Sequence, residues 1–194
     1  AKAVSALAQA NPGVATSTSH GLANKSVGYF ASVGGMAQLE GQAARVANGT
    51  TNTFELEDID TSGYPAFTSG NFIPVTTWAT LSRASSYSIG GGAGDKLDDT
   101  VLLDDIKQEI QGQLSAQTVT ININSLTQPD AALQKVISVA RSAGYLVWRI
   151  TLKDGATRVF RGQPSLPGED VQKGAIGTGS IEVTVKGVIT YGAP

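Results

Sequence analysis

Three stretches near the end of the chain place an apolar side chain at every second position, and this period sets the fold class. Val119, Ile121 and Ile123 alternate with Thr120, Asn122 and Asn124; Leu146, Trp148, Ile150 and Leu152 alternate with Val147, Arg149 and Thr151; Ile181, Val183 and Val185 alternate with Glu182, Thr184 and Lys186. A period of two belongs to strands that bury one face. One segment departs from it. Behind Thr127-Gln128-Pro129-Asp130, a T-x-x-D start with an early proline, Leu133, Val136, Ile137 and Ala140 recur at i, i+3, i+4 and i+7. The spacing predicts one amphipathic helix of about four turns, closed at Gly144, with its apolar stripe laid on a sheet. A mainly β fold flanked by a single helix follows.

Turn chemistry divides the rest. Lys153-Asp154-Gly155 carries the Asp-Gly signal of a tight hairpin, so the strand ending at Leu152 should pair with Thr157 to Arg161. Gln163 to Gly179 holds two prolines and four glycines and reads as a long surface loop. Short strand-like runs at Gly13 to Thr18, Ser26 to Val33, Ala43 to Ala47 and Thr53 to Glu57 suggest that residues 1–74 form a small β-module, with residues 75–194 as a second domain. Val75 to Ile89 opens a strand-rich stretch. Gly90 to Gly94 then breaks regular structure before the acidic segment, and a long, mobile loop is expected there.

Composition removes several classes of chemistry. Without cysteine there are no disulfides, zinc ribbons or thiol catalysis. No apolar run approaches the roughly 18 residues that cross a bilayer, and Ala1 to Ala10 lacks a signal-peptide core, which reads as a soluble chain made in a cytoplasm. His20, the one imidazole, sits before a glycine and reads as a structural turn residue rather than a general base. The carboxylates lack calcium-loop spacing and the glycine run lacks the Lys-Ser/Thr of a phosphate loop, so neither metal nor cofactor is expected. Trp78 and Trp148 read as core. An enzyme is therefore the remotest reading.

Charge is sparse, 15% of residues with a net of −2, yet unevenly placed. Asp95, Asp98, Asp99, Asp104, Asp105 and Glu109 face only Lys96 and Lys107 in their segment. Lys135, Arg141, Arg149, Lys153, Arg158 and Arg161 have only Asp154 among them. Two readings stand: two solvated faces, or complementary charge between subunits.

Tyr145-Leu146-Val147-Trp148-Arg149-Ile150, Asp154-Gly155, Val159-Phe160-Arg161-Gly162 and the run Ile176 to Gly187 resemble the end of lambda-like siphophage tail tube proteins. Leu97-Asp98-Asp99 and Gln111-Gly112-Gln113 resemble the acidic loop and strand entry of the same family, so that the resemblance spans Trp78 to Pro194. It implies a β-sandwich flanked by one helix, six copies of which close a β-barrel ring around a DNA-wide lumen. Such rings stack into the inner tube of a long non-contractile tail, a conduit for DNA ejection in the virion. The implied partners are further copies in homohexameric rings, a tape-measure protein in the lumen, tail terminator and baseplate or initiator proteins, and genomic DNA in transit without sequence-specific binding or a membrane. The family's loop orders when rings stack, which places Gly90 to Gln113 in that role. Its acids either meet Arg158 and Arg161 of the adjoining ring or line the lumen, where they repel phosphates.

His20-Gly21-Leu22, Gly34 to Gly41, Val46-Ala47-Asn48 and Asn52 to Leu56 are similar to a small β-barrel first named in ubiquitin-activating enzymes. Those enzymes' catalytic cysteine has no counterpart here. The resemblance implies an accessory module, either decorating the outer wall of the tube or clamping rings together. The competing readings are a tail terminator or baseplate ring protein and a host-binding adhesin module.

Overall fold

The computed structural model of the chain describes residues 1–101, 106–124 and 130–194. In order they form β1 (Lys2–Val4), β2 (Ala6–Leu7), β3 (Val14–Thr16), β4 (Val27–Gly34), β5 (Ala43–Ala47), β6 (Thr53–Leu56), β7 (Ser69–Pro74), β8 (Ala84–Gly90), β9 (Gly94–Asp98), β10 (Glu109–Leu114), β11 (Thr118–Asn124), α1 (Ala131–Arg141), β12 (Leu146–Thr151), β13 (Thr157–Pro164), β14 (Gly168–Asp170) and β15 (Thr178–Gly192). The fold is mainly β with one α-helix among the described residues, as the sequence predicts.

The first seven strands make one sheet in the order β1-β7-β4-β5-β6-β3-β2. Its first and last members are two halves of one N-terminal segment, interrupted only at Ser5, whose N–H bonds to Thr16 C=O at 2.9 Å. The sheet thus rolls into a nearly closed barrel, which leaves little free edge. Phe30, Phe54, Phe72, Met36, Leu39 and Leu56 fill it and are fully buried. Phe72 meets Phe30 and Phe54 at ring distances of 5.3 and 5.2 Å. Gly28 permits this packing, because a Cβ there would lie 2.5 Å from the Phe72 ring. His20 is buried edge-on to Phe54, and its Nδ1 accepts from Leu22 N–H at 3.0 Å. That bond assigns the proton to Nε2, which then donates to Thr53 C=O at 3.2 Å. The imidazole ties a turn to the barrel.

The second sheet runs β12-β13-β15-β11-β8, with β14 alongside the start of β15. Val119, Ile121 and Ile123 of β11 pair with Val183, Ile181 and Gly179 of β15, and α1 sets Leu133 and Val136 against them in one apolar cluster. Phe160 and Trp148, opposite each other on β13 and β12, stack at 6.3 Å on the same face. Unlike the barrel, this sheet stays open. Strands β8 and β12 are each paired on one side only.

The other face of this sheet meets the barrel. Val159 and Val147 pack with Val27, Ala43 and Trp78 in a small second cluster. Beyond Val185, β15 loses β11 as a neighbour, and side chains of the barrel take the place of a strand. The buried Gln42 carboxamide accepts from Val188 N–H at 2.8 Å and donates to Val188 C=O at 2.9 Å, as a facing peptide would. Asp58 accepts from Tyr191 N–H at 2.9 Å, and Glu57 from Ala193 N–H at 3.0 Å. Arg45, 4% exposed, bridges Glu57 at 2.8 Å and donates to Ala193 C=O at 2.8 Å. Gly187, at φ +84°, lies so close to Gln42 Oε1 that no side chain fits there.

Four expectations are corrected. Gly90 to Gln113 is not one long loop: β9 and β10 pair antiparallel with Leu97 opposite Ile110, and only Gly91 and Gly92, at φ +81° and +77°, make the bend out of β8. The helix spans eleven residues, about three turns, and its N-cap is Asp130, whose carboxylate accepts from Leu133 N–H at 2.8 Å. Thr127 and Pro129, expected to open it, lie outside the described residues. Gln163 to Gly179 includes the end of β13 and all of β14. Regular structure after Pro74 resumes only at Ala84.

Candidate assembly surfaces

Asp95, Asp98, Asp99 and Glu109 sit on or beside the β9–β10 arm; Asp104 and Asp105 lie outside the described residues. Alternation sorts them onto two faces. On one, Lys96 bridges Glu109 at 2.8 Å, while Lys107 reaches Glu109 at 2.9 Å and Asp98 at 4.0 Å. Lys96 and then Lys107 hold the Glu109 carboxyl below its ordinary pKa, and hydrogen bonds from Thr100, hydroxyl before N–H, do so for Asp98. The opposite face pairs Leu97 with Ile110, 58% and 54% exposed, and carries Asp95 and, by the same alternation, Asp99. Neither of these two acids forms an ion pair among the described residues. Asp99 N–H still bonds to Gln108 C=O at 3.0 Å, which continues the ladder past β9.

The expected basic partners lie elsewhere. Arg158 stacks 4.5 Å above Tyr191, and Arg161 lies between Tyr29 and Tyr145 at 4.4 and 4.9 Å from their ring centres. Within one chain neither pairs with an acid of the arm among the described residues. Such stacking holds a guanidinium flat and leaves its N–H edge for a further acceptor.

Arg161 borders a groove of about 840 Å³ that the sequence did not reveal. Ser86 and Tyr87 of β8, Trp148 and Arg149 of β12 and Val136 of α1 all line it. The two end strands of the second sheet thus border the same hollow. Lys135, Arg149, Lys153 and Arg161 line it, and among the described residues no acidic side chain does. Arg149 rests 4.4 Å above Trp78, which is half-buried here rather than in the barrel core. Its residues are drawn from positions 29 to 161, so no local pattern marks it.

Exposure is divided along the chain. Among the described residues every exposed large apolar side chain, Leu97, Ile110, Ile176 and Tyr191 among them, lies at position 97 or later. Surfaces of that kind mark contacts with other molecules. No group of His, Cys, Asp and Glu among the described residues is placed to hold a metal ion. No helix among them is long and apolar enough to cross a membrane.

No curated protein matches the chain. The family model for phage tail tube protein, TTP, matches residues 34–194, from the last residue of β4 through β5, β6 and β7 and the whole second sheet. This reaches further towards the N-terminus than the resemblance from Trp78 onward. A mainly β chain with one α-helix among its described residues, an open second sheet and apolar side chains left uncovered on that sheet and the segments attached to it fits that assignment, and the chain belongs to the phage tail tube protein family.

Proposed function

We propose that six copies close a ring edge to edge and that the rings stack into the inner tube of a non-contractile tail, through which genomic DNA passes on ejection. The family assignment carries a structural role in the tail tube; the ring, its stacking and the conduit are the reading offered for this chain. Its main support is the contrast in the second sheet: two strands paired on one side only, and large apolar side chains exposed from Leu97 onward. A strand edge is stabilised by pairing, and a ring of identical copies removes every edge at once. The low charge of the chain gives DNA little to bind, which suits passage rather than retention. A tape-measure protein in the lumen and terminator and baseplate proteins at the ends complete this reading. Residues 1–74 act as an accessory module and residues 75–194 as the tube domain. The barrel's polar contacts with β15 favour a fixed attachment over a loosely tethered decoration.

Negative-stain electron microscopy of the purified chain across concentration, beside the same chain lacking residues 90–113, tests the proposal. Long hollow tubes from the intact chain and none from the deletion are expected. Single rings that never stack, at any concentration, overturn it and favour a terminator or baseplate ring.

A further inference from the structure

We propose that the Leu97/Ile110 face of the β9–β10 arm of one copy seats in the groove between β8 and β12 of a second copy, an inference that rests on the self-assembly proposed above. The arm offers an apolar cross-strand pair with two acids, Asp95 and Asp99, on the same face and unneutralised, while the acids on its opposite face are taken up by Lys96 and Lys107. The groove offers the converse: Trp78, Tyr87 and Trp148 as apolar lining, with Arg149, Lys135 and Lys153 around them and no acid among the described residues. A two-stranded ribbon without a sheet beneath it has little stability of its own, so covering Leu97 and Ile110 stabilises arm and interface together. Arg149 lies 4.4 Å above the Trp78 ring centre, and a guanidinium stacked in this way keeps N–H donors for a carboxylate. Complementary charge of this kind sets partner choice and orientation more than raw affinity.

The absence of native cysteine makes the test clean. Tagged Leu97→Cys and untagged Ala79→Cys chains are mixed, brought to assembly and oxidised; Ala79 is exposed and lines the groove. A disulfide-linked dimer of one tagged and one untagged chain is expected, and little of it when Ser62→Cys, exposed on the barrel, replaces Ala79→Cys. As a second arm, Asp95→Lys or Arg149→Glu alone should lower assembly by about tenfold or more, and the two together should recover much of it. Tubes or rings that form without the 97–79 link and tolerate Arg149→Glu overturn the groove as the receptor and leave self-assembly standing. A link that forms only inside one doubly substituted chain also overturns it, because the arm then lies on its own groove. A parent chain that never assembles, together with no 97–79 link between the two cysteine variants, removes both readings.

Discussion

The two sheets are of similar size and meet the edge problem in opposite ways. The barrel returns its seventh strand to the segment that began it, buries three phenylalanines, and leaves none of the exposed large apolar side chains of the described residues on its surface. The second sheet stops with β8 and β12 open and carries all of those side chains on itself or on the segments attached to it. A barrel closed within one chain needs no neighbour, whereas an open sheet with an apolar arm is completed by one. The junction between them is the informative exception. Where β15 outruns its strand neighbour, Gln42, Glu57, Asp58 and the Arg45–Glu57 pair satisfy its free backbone groups, so that edge is closed from within.

The comparison is most sharply tested in the barrel core. Phe72→Ala removes a fully buried ring that touches both Phe30 and Phe54, and a loss of about 3–5 kcal/mol is expected in denaturant unfolding. If the barrel is a self-sufficient body, that loss appears in the isolated chain. A variant as stable as the parent would show that the barrel core contributes little by itself.

Gln42→Leu keeps most of the side-chain volume but leaves Val188 N–H and C=O without partners, at a cost of about 1–3 kcal/mol. Hydrogen exchange at the Val188 amide should accelerate while that at Phe30 and Phe72 stays slow. Exchange at Val188 unchanged by the substitution would mean that the carboxamide does not close this edge.

A smaller effect is expected at the helix. Asp130 receives Leu133 N–H at 2.8 Å and both the N–H and hydroxyl of Ser82, at 3.0 and 2.7 Å, and so joins α1 to the segment before β8. Burial raises its pKa, but those bonds outweigh burial and leave it below the usual 3.8. A carboxyl depressed on folding stabilises the fold when ionised. Its contribution is complete well above pH 3.8 and is lost as pH falls through the lower folded value. Asp130→Ala should cost about 1 kcal/mol near neutrality, with the gap from the parent closing in acid, while Asp130→Asn retains most of the cap. A gap that persists unchanged at low pH would assign the loss to something other than the ionised cap.

How much of this was legible follows from what each residue reports locally. The strands β11, β12 and β15 are legible because their two faces differ: apolar against α1, and largely polar on the other, where only a small apolar cluster with Val147 and Val159 meets the barrel. Strands β1 and β2 have three residues and two, too few to show a period, and they hold through closure of the barrel. The arm reads as a loop in sequence because its strands are surrounded by charge and contain one well-formed apolar pair, Leu97 with Ile110, which alternation cannot register from either strand alone. Gln42 reads as surface in any window of sequence; its burial follows from the partner at Val188, 146 positions away. The groove is a product of sheet curvature, and its cations were visible as a run without any indication of the hollow they surround.

The smallest effect on stability should come from the arm, and it separates the two halves of the comparison most directly. Leu97 and Ile110 are more than half exposed and touch no core, so Leu97→Ser or Ile110→Ser should change unfolding by no more than about 0.5 kcal/mol. The same substitutions remove apolar surface that is buried only if a second copy covers it, and each should reduce tube or ring formation in sedimentation. Substitutions in the barrel core should do the reverse, lowering stability while assembly of the remaining folded fraction persists. Should Leu97→Ser and Ile110→Ser together leave assembly at the parental level, the exposed pair has no partner and the open sheet closes by its edges alone.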